Sequence, residues 1–366
     1  MSGSAYAGGR PAGQRSFGTG PAVSVLLPFY QAESTLPACL ESLLAQSERD
    51  LEIVAVDDGS TDGGAARVEQ AAARDARVRL VQRPHHGLVT ALNAGLTECR
   101  GTYVARMDAD DVALPQRLER QRAWLEAHPD CDLVGCLAEP FSIGTRLAKG
   151  VVNYHVWMNA LRDDAAIRAN LFVESPIPHP GFFARRDLFM RLWGYRDLPW
   201  PEDYDFLLRA ARVGARFGKV PEVLLRRRDH PGRLTRHDPR YRRDGMFRAK
   251  VHHFVRGPWL RGAAPGERRG VVIGGSGNSG RAVAALLRAE GVTVRCLLDN
   301  KVGPPGRTVR GVPAVGYPDA IPPEFFAAHA GAFYLSCIGE PDGRARLVTH
   351  LEANGLQPGR DWLLFL

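Results

Sequence analysis

Residues 103–111 read YVARMDADD, a short apolar run that ends in the three carboxylates of Asp108, Asp110 and Asp111. Carboxylates this close together repel one another unless they are solvated or share a cation. The alternating spacing of Asp108 and Asp110 after a strand lets both reach the same side of a ligand. Mg²⁺ or Mn²⁺ takes oxygen ligands of this kind and bridges them to phosphates. The stretch therefore predicts a divalent metal site or, alternatively, a solvated acidic turn before a helix over 114–127.

Strands and helices alternate around this run. Short apolar segments predict four strands, at residues 23–27, 51–56, 78–82 and 101–107. Helical spacing of leucines predicts helices at 35–45, with Ser34 as the N-cap, and at 88–98. This alternation predicts an α/β fold with a mostly parallel sheet. Ligands bind beyond the carboxyl ends of such strands, where Pro28, Asp58 and Asp108 each follow a strand.

Size and composition limit the class of protein. The chain has 366 residues, enough for two domains with separate cores. It contains no apolar run of about 18 residues, so we expect no membrane span. Residues 1–20 are rich in Gly, Ser and Ala and predict a flexible tail. The six cysteines form no C-x-x-C pair, which predicts reduced thiols in a cytoplasmic protein rather than disulfides or a zinc site.

The net charge of +8 is concentrated in a basic segment over residues 226–269. Few aromatic side chains accompany it and no nucleic-acid motif is present, so we expect no nucleic-acid partner. Two interpretations stay open: a solvated linker and helix face, or peripheral contact with an anionic membrane surface or lipid phosphate. Residues 236–267 are predicted to be a linker that includes a basic helix.

A second α/β unit is predicted over 268–366. After a strand at 271–273, Gly275, Gly277 and Gly280 have the spacing of the dinucleotide fingerprint, and Asp299 follows about twenty residues later. These residues predict either a nucleotide-type ligand site or a Rossmann-like fold whose glycine turn is only structural. The short length and the lack of a Tyr-x-x-x-Lys pair argue against hydride transfer. A sugar-nucleotide or regulatory ligand, or a role in docking and homo-oligomer formation, fits better.

Five motifs occur in the order typical of one enzyme family: VSVLLPFYQAESTLPACLESLLAQS, EIVAVDDGSTD, RMDADDVALPQRLERQ, HPGFFARRDLF and PEDYDFLLRAARVG. With them the chain resembles the family 2 glycosyltransferases, which are inverting enzymes. The resemblance implies a GT-A type nucleotide-diphospho-sugar transferase domain with a mixed, mostly parallel sheet over 21–235, followed by the small Rossmann-like α/β domain. The chain departs from the family pattern at Gln31, at Phe206-Leu207 and at Arg227, where Asn, Leu-Trp and Tyr are usual.

The resemblance also implies roles for individual residues. The catalytic base would be Asp203, and the metal, Mn²⁺ or Mg²⁺, would be held by Asp110 and His230. The residues implied to bind the nucleotide sugar are Pro28, Tyr30, Glu33, Asp58, Gly87, Asn93, Asp108 and Glu202. Two alternatives remain open, because Asp203 could simply cap its helix and Asp57 could replace Asp58 as the contact to the base.

The sequence thus predicts a metal-dependent inverting glycosyltransferase that moves one sugar from a nucleotide-diphosphate donor to a hydroxyl acceptor. The family analogy suggests a glycan or lipid-linked acceptor and bacterial surface glycan synthesis, at the cytoplasmic face of the membrane. A non-catalytic sugar-nucleotide-binding scaffold and a nucleotidyltransferase are the alternatives. The second should carry a Gly-rich basic signature after its first strand, where this chain has Pro28-Phe29-Tyr30.

Overall fold

The computed structural model of the protein describes residues 20–262, 266–300, 306–317 and 320–366. The predicted tail, apart from Gly20, lies outside the described residues. The strands are β1 (Val23–Phe29), β2 (Leu51–Asp57), β3 (Val78–Gln82), β4 (Tyr103–Arg106), β5 (Val112–Ala113), β6 (Leu133–Phe141), β7 (Phe183–Arg185), β8 (Phe217–Arg228), β9 (Val271–Gly274), β10 (Val294–Asp299), β11 (Thr308–Val309), β12 (Val312–Gly316), β13 (Phe333–Ser336) and β14 (Trp362–Leu364).

The helices are α1 (Leu36–Leu44), α2 (Gly64–Ala72), α3 (Leu88–Glu98), α4 (Arg117–Ala127), α5 (Lys149–Ala160), α6 (Asp164–Asn170), α7 (Arg186–Arg191), α8 (Glu202–Arg212), α9 (Leu234–His237), α10 (Arg243–Arg256), α11 (Asn278–Ala289), α12 (Pro323–Ala328) and α13 (Pro341–Ala353). Single 3₁₀ turns lie at His179–Gly181, Pro239–Tyr241 and Pro258–Leu260. Within the described ranges, every helix is too short or too polar to traverse a bilayer.

The first sheet has eight strands in the order β3-β2-β1-β4-β7-β6-β8-β5. Strands β1 to β4 are parallel to one another, whereas β7 runs antiparallel to β4 and β6. Both β1 and β2 are buried along their full length, as expected for strands covered by helices on both faces. The predicted mixed, mostly parallel α/β sheet is confirmed. Its parallel strands bring Phe29, Asp57 and Arg106 to one edge.

Some local predictions were wrong. Strand β1 continues through Pro28, which pairs in register with Val56, rather than ending before it. Helix α1 has Thr35 at its N-cap, not Ser34, and no side chain caps it. Helix α4 begins at Arg117 rather than at residue 114, because Val112 and Ala113 pair with β8 as a short strand.

The basic segment contains the predicted basic helix, but this helix packs against the rest of the protein instead of being solvated. Its first three arginines end strand β8, and its central part forms α10. Three residues spaced as one helical face, Phe247, Val251 and Phe254, belong to the hydrophobic cluster that also contains residues of both sheets. The charged side chains of α10 lie around this apolar stripe, which explains why composition alone resembled a linker. The helix therefore joins the two parts of the protein.

The second sheet has six strands in the order β11-β12-β10-β9-β13-β14, and its central strands are parallel. The turn between β9 and α11 needs two of its glycines for backbone reasons. Gly275 has a φ of +102°, and a Cβ atom on Gly280 would collide with the carbonyl oxygen of Gly275. Apart from its neighbours along the chain, no atom of the described residues lies within 4 Å of the position where Gly277 would carry a Cβ. The hydroxyl of Ser276 contacts the carboxylate of Asp299. A ligand at this turn stays a prediction.

Candidate active site

Three carboxylates meet just beyond the end of β4. Oxygen atoms of Asp108, Asp110 and Asp111 all lie within 4.8 Å of one another. Asp111 is 1% exposed, and its Oδ1 accepts a hydrogen bond of 2.8 Å from the Arg228 backbone N–H. Its Oδ2 is buried without a hydrogen-bond partner in the described part of the chain. Burial, and then the charges of Asp108 and Asp110, raise the pKa of Asp111 to about 8. This crowded group with an unsatisfied oxygen fits a cation site.

The end of β8 completes the acidic cluster. His230 places its Nε2 2.9 Å from Oδ2 of Asp110, although the two residues are far apart in sequence. Arg228 donates from Nε to the backbone carbonyl of Asp110 at 3.0 Å, which fixes the two loops together. The two predicted metal residues are therefore neighbours. Carboxylate oxygens of this kind suit Mg²⁺ and Mn²⁺.

Arg106 connects the acidic cluster with the predicted base. It is 2% exposed and contacts the Asp108 carboxylate, and its charge opposes the rise that burial causes in the pKa values of Glu202 and Asp203. Buried Arg117 supports this strand end by donating to the Arg106 carbonyl at 2.8 Å. Arg106 is therefore in contact with Asp108 and close enough to Asp203 for its charge to act on that carboxylate. The sequence analysis did not predict a role for Arg106. The local sign of such a role is that a single arginine interrupts an apolar strand.

Glu202 and Asp203 open α8 after Pro201. Asp203 is partly buried and lines a cleft. Burial, followed by the charge of Glu202, raises the pKa of Asp203 to about 7, close to the value that suits a general base at neutral pH. The Oδ1 of Asp203 also accepts the Tyr204 backbone N–H at 2.7 Å. Asp203 is not the N-cap of α8, because that position is occupied by Pro201 and no side chain caps the helix.

Glu202 is held by residues outside its helix. The hydroxyl of Tyr241 lies 3.0 and 2.9 Å from its two carboxylate oxygens, and Nδ1 of His179 lies 3.7 Å away. Tyr241 follows the segment that resembles the family, and no local pattern indicates its role. Burial and the neighbouring carboxylates keep the pKa of the Tyr241 hydroxyl well above its usual value, so this group remains a hydrogen-bond donor.

Replacing Tyr241 by Phe should shift the acidic limb of the kcat/KM–pH profile to lower pH. Without the hydroxyl, the ionised form of Glu202 loses a donor, so its pKa rises and it is more often neutral. A neutral Glu202 no longer raises the pKa of Asp203, which then loses its proton at lower pH. The control is Tyr204→Phe, which removes a hydroxyl that donates to the Leu171 carbonyl at 2.6 Å and has no carboxylate partner among the described residues. An acidic limb that is the same in Tyr241→Phe and wild type would contradict this coupling.

On the donor side, Asp58 organises the loop that precedes α3. Its Oδ1 accepts from the His86 N–H at 3.0 Å and its Oδ2 from the Gly87 N–H at 2.9 Å. His85 places Nδ1 2.8 Å from the same carboxylate and stacks on the ring of Tyr30, with centroids 4.1 Å apart. Asp57 instead accepts the Ser60 N–H at 2.9 Å. The Tyr30–His85 stack presents an exposed aromatic surface beside Asp58. Contact of Asp58 with a nucleotide base stays a prediction.

Two other predicted donor residues already have internal partners. Glu33 accepts from the Gly63 N–H at 3.1 Å and pairs with Arg67 at 3.1 Å. Asn93 uses both ends of its amide on the Tyr195 backbone, at 2.8 and 2.9 Å. Through these bonds Glu33 and Asn93 hold neighbouring segments of the chain together. Their contacts with the nucleotide stay predictions. Gly87, with a φ of +89° and open space around its Cα, begins α3 at the same strand edge as Pro28.

The sequence matches a known family and several known proteins. Residues 24–193 match the family described as Glycosyl transferase family 2. An uncharacterised glycosyltransferase of Haemophilus influenzae is 31% identical over 57% of this chain and 66% of its own length. Bacillus subtilis EpsE, provisionally described as a glycosyltransferase, is 31% identical over 63% of this chain and 81% of its own. The amylovoran biosynthesis glycosyltransferase AmsE of Erwinia amylovora is 31% identical over 56% of this chain and 74% of its own.

The fold has a counterpart among solved structures. The crystal structure of residues 1–349 of S. aureus TarS, in complex with UDP-GlcNAc, superposes with a TM-score of 0.51 at 18% identity. It covers 64% of this chain and 67% of that one, so the match leaves part of each protein without a counterpart. At this identity the similarity concerns the fold alone, which is of the GT-A type. Taken with the family match, the chain belongs to glycosyltransferase family 2 and is a glycosyltransferase.

Proposed function

We propose that this glycosyltransferase moves one sugar from a nucleoside-diphosphate donor to a hydroxyl acceptor, with inversion and with help from Mn²⁺ or Mg²⁺. The observation that carries the proposal is the arrangement around Arg106. Arg106 contacts Asp108 of the acidic cluster, where His230 pairs with Asp110, and its charge also acts on Asp203, which lines a cleft and has its pKa raised to about 7. A leaving diphosphate and an attacking hydroxyl need these two kinds of group.

The residues divide the chemistry between them. Asp110 and His230 would hold the divalent ion with Asp108 beside them, and when bound it offsets the negative charge of the departing diphosphate. Arg106 contributes a fixed positive charge next to Asp108. Asp203 accepts the proton of the attacking hydroxyl.

Inversion is supported by the environment of Glu202. A retaining double displacement needs a nucleophile that can reach the sugar. Glu202, the carboxylate beside Asp203, is 1% exposed, and Tyr241 and His179 contact it. It is therefore poorly placed to attack, and a single displacement assisted by Asp203 fits better.

The biological setting follows by analogy. AmsE is described by its role in amylovoran biosynthesis, which supports synthesis of a surface polysaccharide as the pathway for this chain too. We place the enzyme at the cytoplasmic face of the membrane, with a glycan or lipid-linked acceptor. Family membership and the presence of Asp203 in the cleft favour this function over a nucleotidyltransferase or a non-catalytic scaffold.

A donor panel tests the proposal. UDP-, GDP- and dTDP-linked sugars are incubated with the protein, and release of the nucleoside diphosphate is measured with Mn²⁺, with Mg²⁺ and with EDTA. We expect release from at least one donor with a metal ion and loss of release in EDTA. In Asp110→Asn, the Mn²⁺ concentration for half-maximal rate should rise by more than about tenfold. Mutating a residue that only orients a metal ligand already lowers metal affinity by about 10- to 100-fold, and removing the ligand itself should lower it at least as much.

The matched control is Asp75→Asn, which removes a carboxylate that pairs on the surface with Arg77 at 2.8 Å. Its metal dependence should equal that of the wild type. Full activity in EDTA would contradict a metal-assisted reaction while leaving glycosyl transfer itself standing. An Asp110→Asn variant with unchanged Mn²⁺ dependence would move the metal site away from the acidic cluster.

A further inference from the structure

The cleft that contains Asp203 has a volume of about 310 Å³. Its wall includes Tyr154 and His155 of α5, Arg227 at the end of β8, and Tyr241 before α10. None of the predicted nucleotide or metal residues Tyr30, Asp58, Asp108 and Asp110 belongs to this wall. If Asp203 is the base, as proposed above, the cleft is the space from which the acceptor reaches it.

Arg227 is a buried cation in this wall. It is 9% exposed, and its guanidinium lies 6.0 Å from the ring centre of Tyr154. Its Nε has no hydrogen-bond partner, and among the described residues no carboxylate lies at ion-pair distance from it. The Nε of Arg226 likewise lacks a hydrogen bond, but Arg226 forms an ion pair with Glu139 at 2.8 Å, and Arg228 donates to the Asp110 carbonyl. Burying a charge without a partner is costly, so Arg227 is poised for an anion from outside the chain.

His155 supplies a hydrogen-bond acceptor in the same wall, whereas Arg227 supplies only donors. It is 3% exposed, and its Nδ1 donates to the Val151 carbonyl at 2.8 Å. The Nε2 therefore carries a lone pair, and it has no partner among the described residues. Burial, opposed by the Val151 bond but reinforced by the charge of Arg227, lowers the pKa of His155 to about 4. The ring is neutral at pH 7 and can accept a hydrogen bond from a hydroxyl.

The wall also carries the carboxylates of Glu174 and Asp203, but among the described residues neither forms an ion pair with Arg227. Arg236 is neutralised by Asp229, with both carboxylate oxygens within 2.8 Å of its Nη2. Arg233 donates to the Arg228 carbonyl and adds further positive charge. The charge of Arg227 opposes the rise in the pKa of Asp111, so it acts on the acidic cluster although the two described groups form no ion pair.

We infer that Arg227 and His155 form an acceptor subsite for a carbohydrate that carries an anionic group, a phosphate or a carboxylate. Arg227 binds the anionic group, and Nε2 of His155 accepts a hydrogen bond from a neighbouring hydroxyl. This deepens the proposed function, on which it rests through the assignment of Asp203, by defining the chemical class of the acceptor. Arg227 stands where the family usually has Tyr, so the subsite distinguishes this chain.

Calorimetric titration of the full chain tests the subsite without turnover. The probes are glucose 1-phosphate, glucuronate and neutral methyl glucoside, which separate phosphate from carboxylate and charge from sugar. We expect at least one anionic probe to bind wild type and Arg226→Gln equally, and Arg227→Gln at least about tenfold more weakly. Arg227→Lys, which keeps the charge, should recover part of the affinity. His155→Asn should weaken binding of the same probe.

Stability separates a ligand-binding role from a structural one. Because no carboxylate among the described residues pairs with Arg227, Arg227→Gln should unfold at the same temperature as wild type or at a higher one. A lower midpoint would assign the residue to folding and overturn the inference. If Arg227→Gln does not fold, Arg227→Lys and His155→Asn decide by their affinities for the same probe.

Two further results would overturn the subsite. One is equal affinity of the anionic probes for wild type and Arg227→Gln. The other is displacement of the bound probe by UDP or GDP with Mn²⁺, which would assign the anion site to the donor diphosphate. The proposed function fails separately: if Asp203→Asn keeps its turnover while binding still depends on Arg227, the base assignment is wrong and the anion site remains.

Discussion

Replacing Asp203 by Asn is expected to lower kcat by about 10²- to 10⁴-fold, the usual contribution of a positioned general base. Asn has the size of Asp and keeps an oxygen for the Tyr204 N–H, so the start of α8 is preserved. It cannot take a proton at neutral pH. The KM for the donor should change little, because Asp203 faces the cleft rather than the acidic cluster. Initial rates of nucleoside diphosphate release, with the donor found in the panel, measure both quantities.

The pH profile of the wild-type enzyme provides a second test of Asp203 as the general base. Its pKa is raised to about 7 by burial and by Glu202, and only the deprotonated form can act as a base. The kcat/KM value should therefore rise with pH through about 7 and then level off. Asp187→Asn is the control, since it also replaces an acid in the first turn of a helix, α7, but on the surface. An Asp203→Asn variant within about threefold of wild type would refute the assignment of the base.

Replacing Asp205 by Asn is expected to lower the free energy of unfolding by about 3–5 kcal/mol, the cost of breaking a buried ion pair from one side. Asp205 is fully buried and accepts hydrogen bonds from four side chains. These donors are Arg209 at 2.6 Å, Arg196 at 2.9 Å, His253 at 2.9 Å and Trp200 at 3.1 Å. Without the carboxylate, Arg209 stays buried with its charge uncompensated. Urea unfolding followed by circular dichroism measures the loss.

The same carboxylate predicts how stability depends on pH. Burial alone would raise the pKa of Asp205, but hydrogen bonds from His253 and Arg196 and the charge of Arg209 bring it below the usual value. A lowered pKa in the folded state means stability that is present above the unfolded value of about 4 and lost as the pH falls below it. Asp205→Asn should lack this contribution. The control Asp187→Asn removes only an exposed pair with Arg191 and should change stability by less than about 1 kcal/mol.

If Asp205→Asn were as stable as wild type, the charges around this residue would be dispensable for folding. A second outcome is informative about activity. Asp205 lies two residues after Asp203 on α8, so a loss of activity that accompanies the loss of stability would indicate that the network also orients the base.

The part of the fold that could be predicted from the sequence is the part encoded by local patterns. The strand at Val78–Gln82 and the helix at Leu88–Glu98 have the predicted bounds, because apolar spacing fixes both elements without distant contacts. Strand β8 was not predicted, since its last residues are three arginines. They are accommodated only in the tertiary structure, where Arg226 pairs with Glu139 and Arg228 lies over the ring of Phe141.

Some residues of the candidate site could be predicted from the sequence and others could not. The nearness of Asp110 and His230 follows from the family resemblance, although their separation in sequence gives no local clue. Tyr241 and His155 could not be found in this manner. Tyr241 lies in a stretch whose composition resembled a linker, and only the packing of α10 brings it to Glu202. Arg227 was noted as a departure from the family, but its lack of a partner is visible only in three dimensions.

Helix α10 sets a limit on where this enzyme can be divided. The helix contacts Asp205 through His253. The residues just before the helix bring Tyr241 to Glu202, and Phe254 belongs to a hydrophobic core shared with the second sheet. A piece of chain that keeps these contacts around Glu202 and Asp205 therefore extends beyond the family match, at least to Arg256. The carboxyl-terminal part supports α10 by packing the second sheet against the apolar face of this helix.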